Sequence, residues 1–187
     1  MKIARCKLES VSPYSQGKYH NTEKNPKELA GDYEKRTWQE KLHVNTEGYV
    51  YIPPMAFANC IKEAATYLSI SIPGQGKSKY TKHFQSGIMV TEPLVLSIKK
   101  EEVKPSWVFV PSDGRRGGTT RVEKCFPLIE DWKGIVDYYI MDDIITEEVF
   151  ERVLRESGNI IGVGVFRPRN WGYYGRFKVV SIEWINQ

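Results

Sequence analysis

The stretch with the clearest chemical potential is residues 160–179, close to the end of the chain. It combines four glycines, three arginines, one lysine and five aromatic residues. Glycine permits close backbone approach, arginine offers a planar fork of donors to phosphate, and aromatic rings stack on unpaired bases. Together these residue types predict a surface for single-stranded nucleic acid. The alternative interpretation is a glycine-rich hairpin whose aromatic residues are core and whose arginines are solvated.

Two other loops add basic residues to this prediction. Residues 70–84 carry three lysines and no acidic residue, and residues 113–121 form a predicted hairpin tip with three arginines and three glycines. Clustered cations favour a polyanionic partner, and the alternative for each loop is a solvated turn. The candidate nucleic-acid-binding residues are Gly162, Gly164, Arg167, Arg169, Trp171, Gly172, Tyr173, Tyr174, Gly175, Arg176, Arg115, Arg116, Arg121, Lys77, Lys79 and Lys82.

Motifs for cofactors and metals are missing from the sequence. Gly76-Lys77-Ser78 resembles the end of a phosphate-binding loop, but the position five residues earlier, where that motif needs glycine, is Ser71. No dinucleotide fingerprint, zinc spacing or nucleophile elbow occurs. We therefore expect no cofactor and no metal.

Length and composition indicate an ordinary globular protein. The chain has 187 residues, 41% of them hydrophobic and 27% charged, with a net charge of +4. This length predicts a single domain spanning 1–187. The three cysteines are isolated among apolar residues, and the N-terminus lacks a signal-peptide pattern, so we expect a cytoplasmic protein.

The periodicity of apolar residues predicts an α+β fold. Strands are predicted at 2–9, 49–52, 134–140 and 177–185, and paired strands at 107–111 and 124–128. Residues 88–90 and 94–98 form a further predicted strand region, which is interrupted at Pro93. Helices are predicted at 54–69 and from the N-cap Thr146 to a stop at Gly158. This order predicts a ferredoxin-like (split βαβ, RRM-like) domain, with a long polar loop at about 12–36 and an inserted β-hairpin at about 100–130.

Three features resemble the RAMP superfamily of CRISPR-associated proteins. Residues 51–65 resemble its strand–proline–helix element, the glycine pairs within 162–175 resemble its glycine-rich loop, and the arginine hairpin resembles the thumb of subunits that coat the crRNA. The resemblance implies that the glycines contact RNA backbone. Because the chain is short for such a subunit, a compact relative from a phage or other mobile element is an equal alternative.

Two alternative functions remain open at this point. RAMP proteins that cleave RNA use a histidine or an aspartate, and the polar loop contains His20 and Asp32. These are the candidate catalytic residues of an endoribonuclease alternative, whereas our leading prediction is a non-catalytic RNA-binding protein. The third interpretation is an interaction protein that acts on a CRISPR-type complex through surface aromatics such as Trp38, Trp107 and Trp132. Expected partners are therefore single-stranded RNA or DNA, other RAMP subunits or copies of itself, and no membrane.

Overall fold

The computed structural model describes residues 1–112 and 118–186. The predicted binding residues Arg115 and Arg116 lie outside these described residues. The strands are β1 (Lys2–Ser10), β2 (Tyr14–Ser15), β3 (Tyr49–Ile52), β4 (Ile88–Met89), β5 (Leu94–Lys99), β6 (Lys104–Pro111), β7 (Arg121–Ile129), β8 (Lys133–Ile140) and β9 (Phe177–Asn186). The α-helices are α1 (Ala30–Thr37), α2 (Pro54–Leu68), α3 (Thr81–Gly87) and α4 (Glu147–Glu156).

A four-stranded antiparallel sheet forms the centre of the molecule, with the order β4-β8-β1-β9. The predicted alternation along β1 is confirmed: Ala4, Cys6 and Leu8 are buried, whereas Arg5 and Lys7 are exposed. Because successive side chains of a strand point to opposite faces, the apolar set lies on the core side. This mixture of helices and antiparallel sheet confirms the predicted α+β class.

Helices α2 and α4 contact each other and contribute to the same core as β1 and β8. Helix α2 begins with Pro54, which fits the first helical position because its missing N–H has no partner there. At the start of α4 the Thr146 hydroxyl accepts a hydrogen bond from the Val149 amide at 3.3 Å, so the predicted N-cap is confirmed.

The predicted helix stop at Gly158 is wrong. After α4 the chain continues through a π-helical turn, Ser157–Ile161, and ends at Gly162, whose φ of 72° is left-handed. Gly158 instead lies against β9, where a Cβ atom would stand 2.1 Å from the Phe177 carbonyl oxygen. A close approach of two backbones explains this glycine.

The predicted interruption of the strand region at Pro93 is confirmed, and its two strands belong to different sheets. The two-residue β4 joins the central sheet beside β8, whereas β5 pairs with β3 in a separate ladder. Pro93 lies between them, and proline cannot donate a ladder hydrogen bond, so one continuous strand is disfavoured there. Strands β6 and β7 form the predicted hairpin, and β2 extends their sheet.

The polar segment 12–36 contains β2 and α1, so it is more ordered than the predicted loop. Its attachment to the hairpin depends on Glu34, whose side chain is buried. The carboxylate accepts hydrogen bonds from Lys41 Nζ at 2.7 Å, Lys124 Nζ at 2.8 Å and the Cys125 amide at 3.1 Å. We call these residues the Glu34 cluster. Nothing in the local sequence distinguishes Glu34 from the solvated acids around it.

Two tryptophans proposed as surface residues are not exposed. Trp132 is 5% exposed and packs edge-on against Tyr14 and Phe57, and Trp38 packs against the core. Trp107, on β6, is 38% exposed.

None of the helices in residues 1–112 and 118–186 has the length and apolar character needed to cross a bilayer.

Candidate nucleic-acid interface

The glycine-rich loop, residues 162–175, is held in place by hydrogen bonds from its own backbone. The Val163 amide donates to the Gly175 carbonyl at 2.9 Å, which closes the loop at its base. The Val165 amide donates to the Ser15 carbonyl at 2.9 Å, and the Gly175 amide donates to the Pro13 carbonyl at 2.7 Å. The loop is therefore attached to the segment that follows β1, and its conformation is set before any ligand arrives.

The glycines of this loop permit the protein's own backbone to approach closely. A Cβ atom on Gly164, whose φ is 82°, would lie 2.2 Å from the Ser15 carbonyl oxygen. A Cβ atom on Gly172 would lie 1.7 Å from the Phe166 carbonyl oxygen. Gly162 and Gly175 are likewise crowded by backbone atoms of the loop. The contact of these glycines with RNA backbone stays a prediction, while their packing role is visible.

The outer part of the loop is a tight turn that displays cations and aromatic rings. Residues Pro168–Asn170 form one 3₁₀ turn, closed by hydrogen bonds from the Asn170 and Gly172 amides to the Arg167 carbonyl. Beyond it Trp171 is 85% exposed, Tyr173 is 62% exposed, and Arg169 is also exposed. We call residues 166–173 the display turn.

The arginines of the loop are held to different extents. Arg167 Nη2 donates to Glu63 Oε1 on α2 at 2.8 Å, and its side chain is 20% exposed. Arg176 Nε donates to the Asn159 carbonyl at 3.1 Å. Since ion-paired and carbonyl-bonded guanidinium groups retain other N–H donors, both can still bind phosphate. Arg169 stands at the surface of the turn without a salt bridge to any described residue.

Two adjoining clefts separate the display turn from α2. The larger, with a volume of about 1020 Å³, is lined by Glu63, Thr66, Tyr67, Pro111, Phe166, Arg167, Arg169, Asn170 and Trp171. The smaller, of about 550 Å³, runs from Glu63 and Arg167 to Tyr14, Gln16 and His43. Pro111 places the end of the hairpin beside the display turn. The structure thus brings together the loop, one side of α2 and the hairpin. The sequence alone could not predict this arrangement.

The other predicted basic residues lie on neighbouring segments of the chain. Lys77, Lys79 and Lys82 are exposed, and Lys79 Nζ donates to the Ser69 hydroxyl at 2.6 Å, which places it at the end of α2. Arg121 is exposed at the start of β7 and its Nη1 donates to the Phe109 carbonyl at 3.4 Å. Tyr174, the remaining aromatic of the prediction, is half-buried and packs edge-on against Phe166.

The two predicted catalytic residues, His20 and Asp32, have different surroundings. His20 stacks on Tyr33 with 6.3 Å between ring centroids, and its Nδ1 is buried without a hydrogen bond to any described residue. Asp32 is exposed on the first turn of α1. No group of three metal-ligating side chains is found in residues 1–112 and 118–186. Catalysis by His20 or Asp32 remains an untested prediction.

His43 is a residue of the interface that the sequence analysis missed. It lines the smaller cleft and packs against Tyr51, with 5.5 Å between ring centroids. Burial, reinforced by the charge of Lys18, lowers the pKa of His43, which favours the neutral imidazole. A lone histidine before a turn carries no signal of such a position, because tertiary packing alone brings it to the cleft.

This α+β arrangement is shared with known structures. A chain in the cryo-EM structure of the Type III-B Cmr-beta bound to cognate target RNA matches with a TM-score of 0.55 and 14% identity over 98% of this chain. Cmr6 from Pyrococcus furiosus matches with a TM-score of 0.50 and 13% identity over 96% of this chain. The predicted resemblance is confirmed at the level of the fold, which this chain shares with these Cmr structures.

The two similar chains differ in length. This chain spans 60% of the length of the Cmr-beta chain and 99% of the length of Cmr6. No protein-family model and no curated protein sequence matches the chain. The similarity at such low identity is one of fold.

Proposed function

We propose that this protein binds single-stranded RNA, without cleaving it, along the surface formed by the display turn and the neighbouring side of α2. The observation that carries the proposal is the placement of Arg167, Arg169 and Trp171 on one preformed turn beside an open cleft. Arginine forks suit phosphate, and exposed indole rings suit base stacking. A single strand exposes phosphates together with unstacked bases, whereas a duplex hides the faces of its bases.

Preorganisation of the turn favours this function. Hydrogen bonds close the turn, and the ion pair with Glu63 orients the Arg167 guanidinium. Donors that are already ordered lose less conformational entropy when they bind. In this proposal Lys79, next to the end of α2, and Arg121, opposite Pro111 in the hairpin, supply further cationic contacts.

The order of elements supports a ferredoxin-like assignment of the central unit. In this proposal β1, α2, β4, β8, α4 and β9 are its six elements. Their sheet order β4-β8-β1-β9 has the second, third, first and fourth strands side by side, which matches the split βαβ pattern. Strands β6 and β7 then form the insertion between its second and third strands.

We place the protein among compact RAMP relatives that work with a CRISPR-type complex, either as a subunit or as a phage-encoded relative. The similarity to a chain of Cmr-beta, which is described as bound to cognate target RNA, supports RNA over DNA. Protein partners, including copies of this chain, are supported by the exposed aromatics on β6, where Phe109 is 67% exposed beside Trp107.

Fluorescence anisotropy with labelled single-stranded RNA and DNA, titrated against salt, tests the proposal. We expect saturable binding to RNA and a log–log salt slope of about −0.7 for each phosphate that is neutralised. Arg169→Ala should weaken binding and make this slope shallower, because it removes one phosphate contact.

Lys7→Ala is the matched control, because Lys7 is an exposed cation on the opposite face of β1 from the core side chains. Equal effects of the two substitutions on RNA affinity would mean that the RNA is held only by non-specific electrostatic attraction. Absence of saturable binding at low salt would refute the function itself.

A further inference from the structure

Glu63 occupies an unexpected position for a carboxylate. It is the single acidic side chain, among the described residues, that lines either cleft of the interface. It lies on α2 on the same side as Asn59, Thr66 and Tyr67, because residues separated by three, four and seven positions share a helix face. A carboxylate in a cationic cleft repels phosphate, so its presence needs a separate physical reason.

Part of that reason is the ion pair with Arg167, but this uses one oxygen. Glu63 Oε1 accepts from Arg167 Nη2, whereas Oε2 has no hydrogen bond to any residue that the structure describes. The side chain is 36% exposed in the cleft. A carboxylate has about four acceptor sites, so Glu63 can still accept hydrogen bonds from a ligand.

Aromatic side chains flank this carboxylate. Tyr67, on α2, is 63% exposed and lines the larger cleft, and Trp171 lines the same cleft from the display turn. Aromatic faces on the walls of a nucleic-acid cleft bind unstacked bases, and polar groups then read the Watson–Crick edge of the base. Glu63 is therefore placed where the edge of a base, rather than a phosphate, would lie.

The chemistry of the bases selects among them. Guanine presents two adjacent donors, N1–H and the 2-amino group, to a carboxylate, which supplies two acceptor oxygens. Uracil presents a single N–H between two carbonyl acceptors, and adenine and cytosine each present an amino group beside a ring acceptor. A carboxylate therefore matches guanine with two hydrogen bonds and the other bases with one at most.

We propose that the larger cleft is a guanine-selective subsite, in which Glu63 accepts hydrogen bonds from the guanine edge while Tyr67 and Trp171 contact its faces. This inference rests on the proposed single-strand binding and adds a base preference to it. Arg167 has a second role here, because it orients the Glu63 carboxylate as well as binding the adjacent phosphate.

Competition anisotropy tests this subsite with uridine RNA oligomers that carry one central guanosine, inosine, adenosine or cytidine. A bidentate contact discriminates by roughly tenfold or more, so the guanosine oligomer should bind at least that much more tightly than the adenosine and cytidine oligomers. Inosine lacks the 2-amino donor and should lose most of the advantage. This comparison uses the unaltered protein and needs no variant to fold.

Glu63→Gln completes the test, with Glu148→Gln on the surface of α4 as the matched control. We expect Glu63→Gln to abolish the guanosine preference, because the neutral amide has one acceptor oxygen in place of two. Plain uridine RNA should still bind saturably, since Arg169 and Trp171 are unchanged. Glu148→Gln should change neither property.

The outcomes separate this inference from the function on which it rests. Saturable binding with equal affinity for all four oligomers would overturn the guanine subsite and leave single-strand binding intact. A guanosine preference that survives Glu63→Gln would also overturn it, since Glu63 would then serve only to hold Arg167. Failure of every oligomer to bind would instead refute the proposed function.

Discussion

Two carboxylates, Glu34 and Glu63, each hold cations across a tertiary contact, yet their surroundings differ. The Glu34 side chain is 3% exposed, and it lies between Lys41 and Lys124, a residue in the middle of β7. The Glu63 side chain is 36% exposed, and it pairs with Arg167 in an open cleft. The three ion pairs have nearly the same length, at 2.7–2.8 Å.

Exposure, rather than geometry, separates the roles of these two carboxylates. Burial by itself would raise the pKa of Glu34, but hydrogen bonds from Lys124, Lys41 and the Cys125 amide outweigh it and lower the pKa from its usual value. A buried charge with satisfied partners stabilises an arrangement of elements only while all partners stay in place. The open carboxylate is free to exchange partners with a ligand. We therefore expect changes at Glu34 to alter folding stability and changes near Glu63 to alter binding.

The largest effect is expected from Glu34→Ala. The substitution leaves Lys41, whose side chain is 11% exposed, without its carboxylate, and breaking a buried pair costs about 3–5 kcal/mol of unfolding free energy. Chemical denaturation followed by circular dichroism measures the loss. Glu130→Ala is the control, because its pair with Lys104 is exposed on the same hairpin and should contribute less than about 1 kcal/mol. Similar losses of unfolding free energy for both variants would mean that burial does not make an ion pair more important for stability.

The same cluster predicts how stability depends on pH. Because the pKa of Glu34 is lower in the folded protein, its contribution is present above the unfolded value of about 4.3 and is lost as pH falls through the folded value. Thermal unfolding of the wild type and of Glu34→Gln, measured from neutral pH to pH 3, should give melting curves that converge at the acidic end. A difference that stays constant over this range would mean that the charge of Glu34 contributes nothing.

In the open cleft near Glu63, Trp171→Ala should weaken RNA binding without changing folding stability. Loss of a base-stacking ring costs about 1–3 kcal/mol of binding free energy, and an indole that is 85% exposed contributes little to the core. Anisotropy and thermal unfolding, performed on the same preparation, measure the two effects separately. A lowered melting temperature with unchanged affinity would assign Trp171 to the fold.

A smaller difference is expected between two pairs of arginines. Arg167→Ala/Arg169→Ala should weaken RNA binding more than Arg115→Ala/Arg116→Ala, by about 1 kcal/mol or more, the order expected for charged hydrogen bonds. The first pair lies on a turn closed by hydrogen bonds, and the second lies in a glycine-flanked segment of the sequence. Greater loss from the second pair would make the hairpin the principal RNA contact.

Several elements could be predicted because their signals are local. Alternating apolar residues predicted β1, and a proline followed by apolar residues at helical spacing predicted α2. Thr146 before two glutamates predicted the start of α4. In each case the residues that determine the element are neighbours in sequence, so backbone geometry and side-chain periodicity are sufficient.

Other features depend on contacts between distant segments, and the sequence predicted them wrongly or not at all. Gly158 looked like a helix stop, but a strand that follows nineteen positions later lies against it and explains the glycine. Trp132 looked like a surface residue, and packing against Tyr14 and Phe57 buries it. Glu34 looked like any solvated acid, although lysines from two other segments surround it.

The same distinction between local signals and tertiary contacts applies to the candidate interface. Residue types alone indicate which side chains can bind a single strand, since arginine, lysine and aromatic side chains carry that chemistry in any fold. Folding adds that the protein's own backbone crowds the glycines, that Arg167 pairs with Glu63, and that His43 lines the smaller cleft. Chemical type belongs to a single residue, whereas burial and partners are properties of segments that meet only after folding.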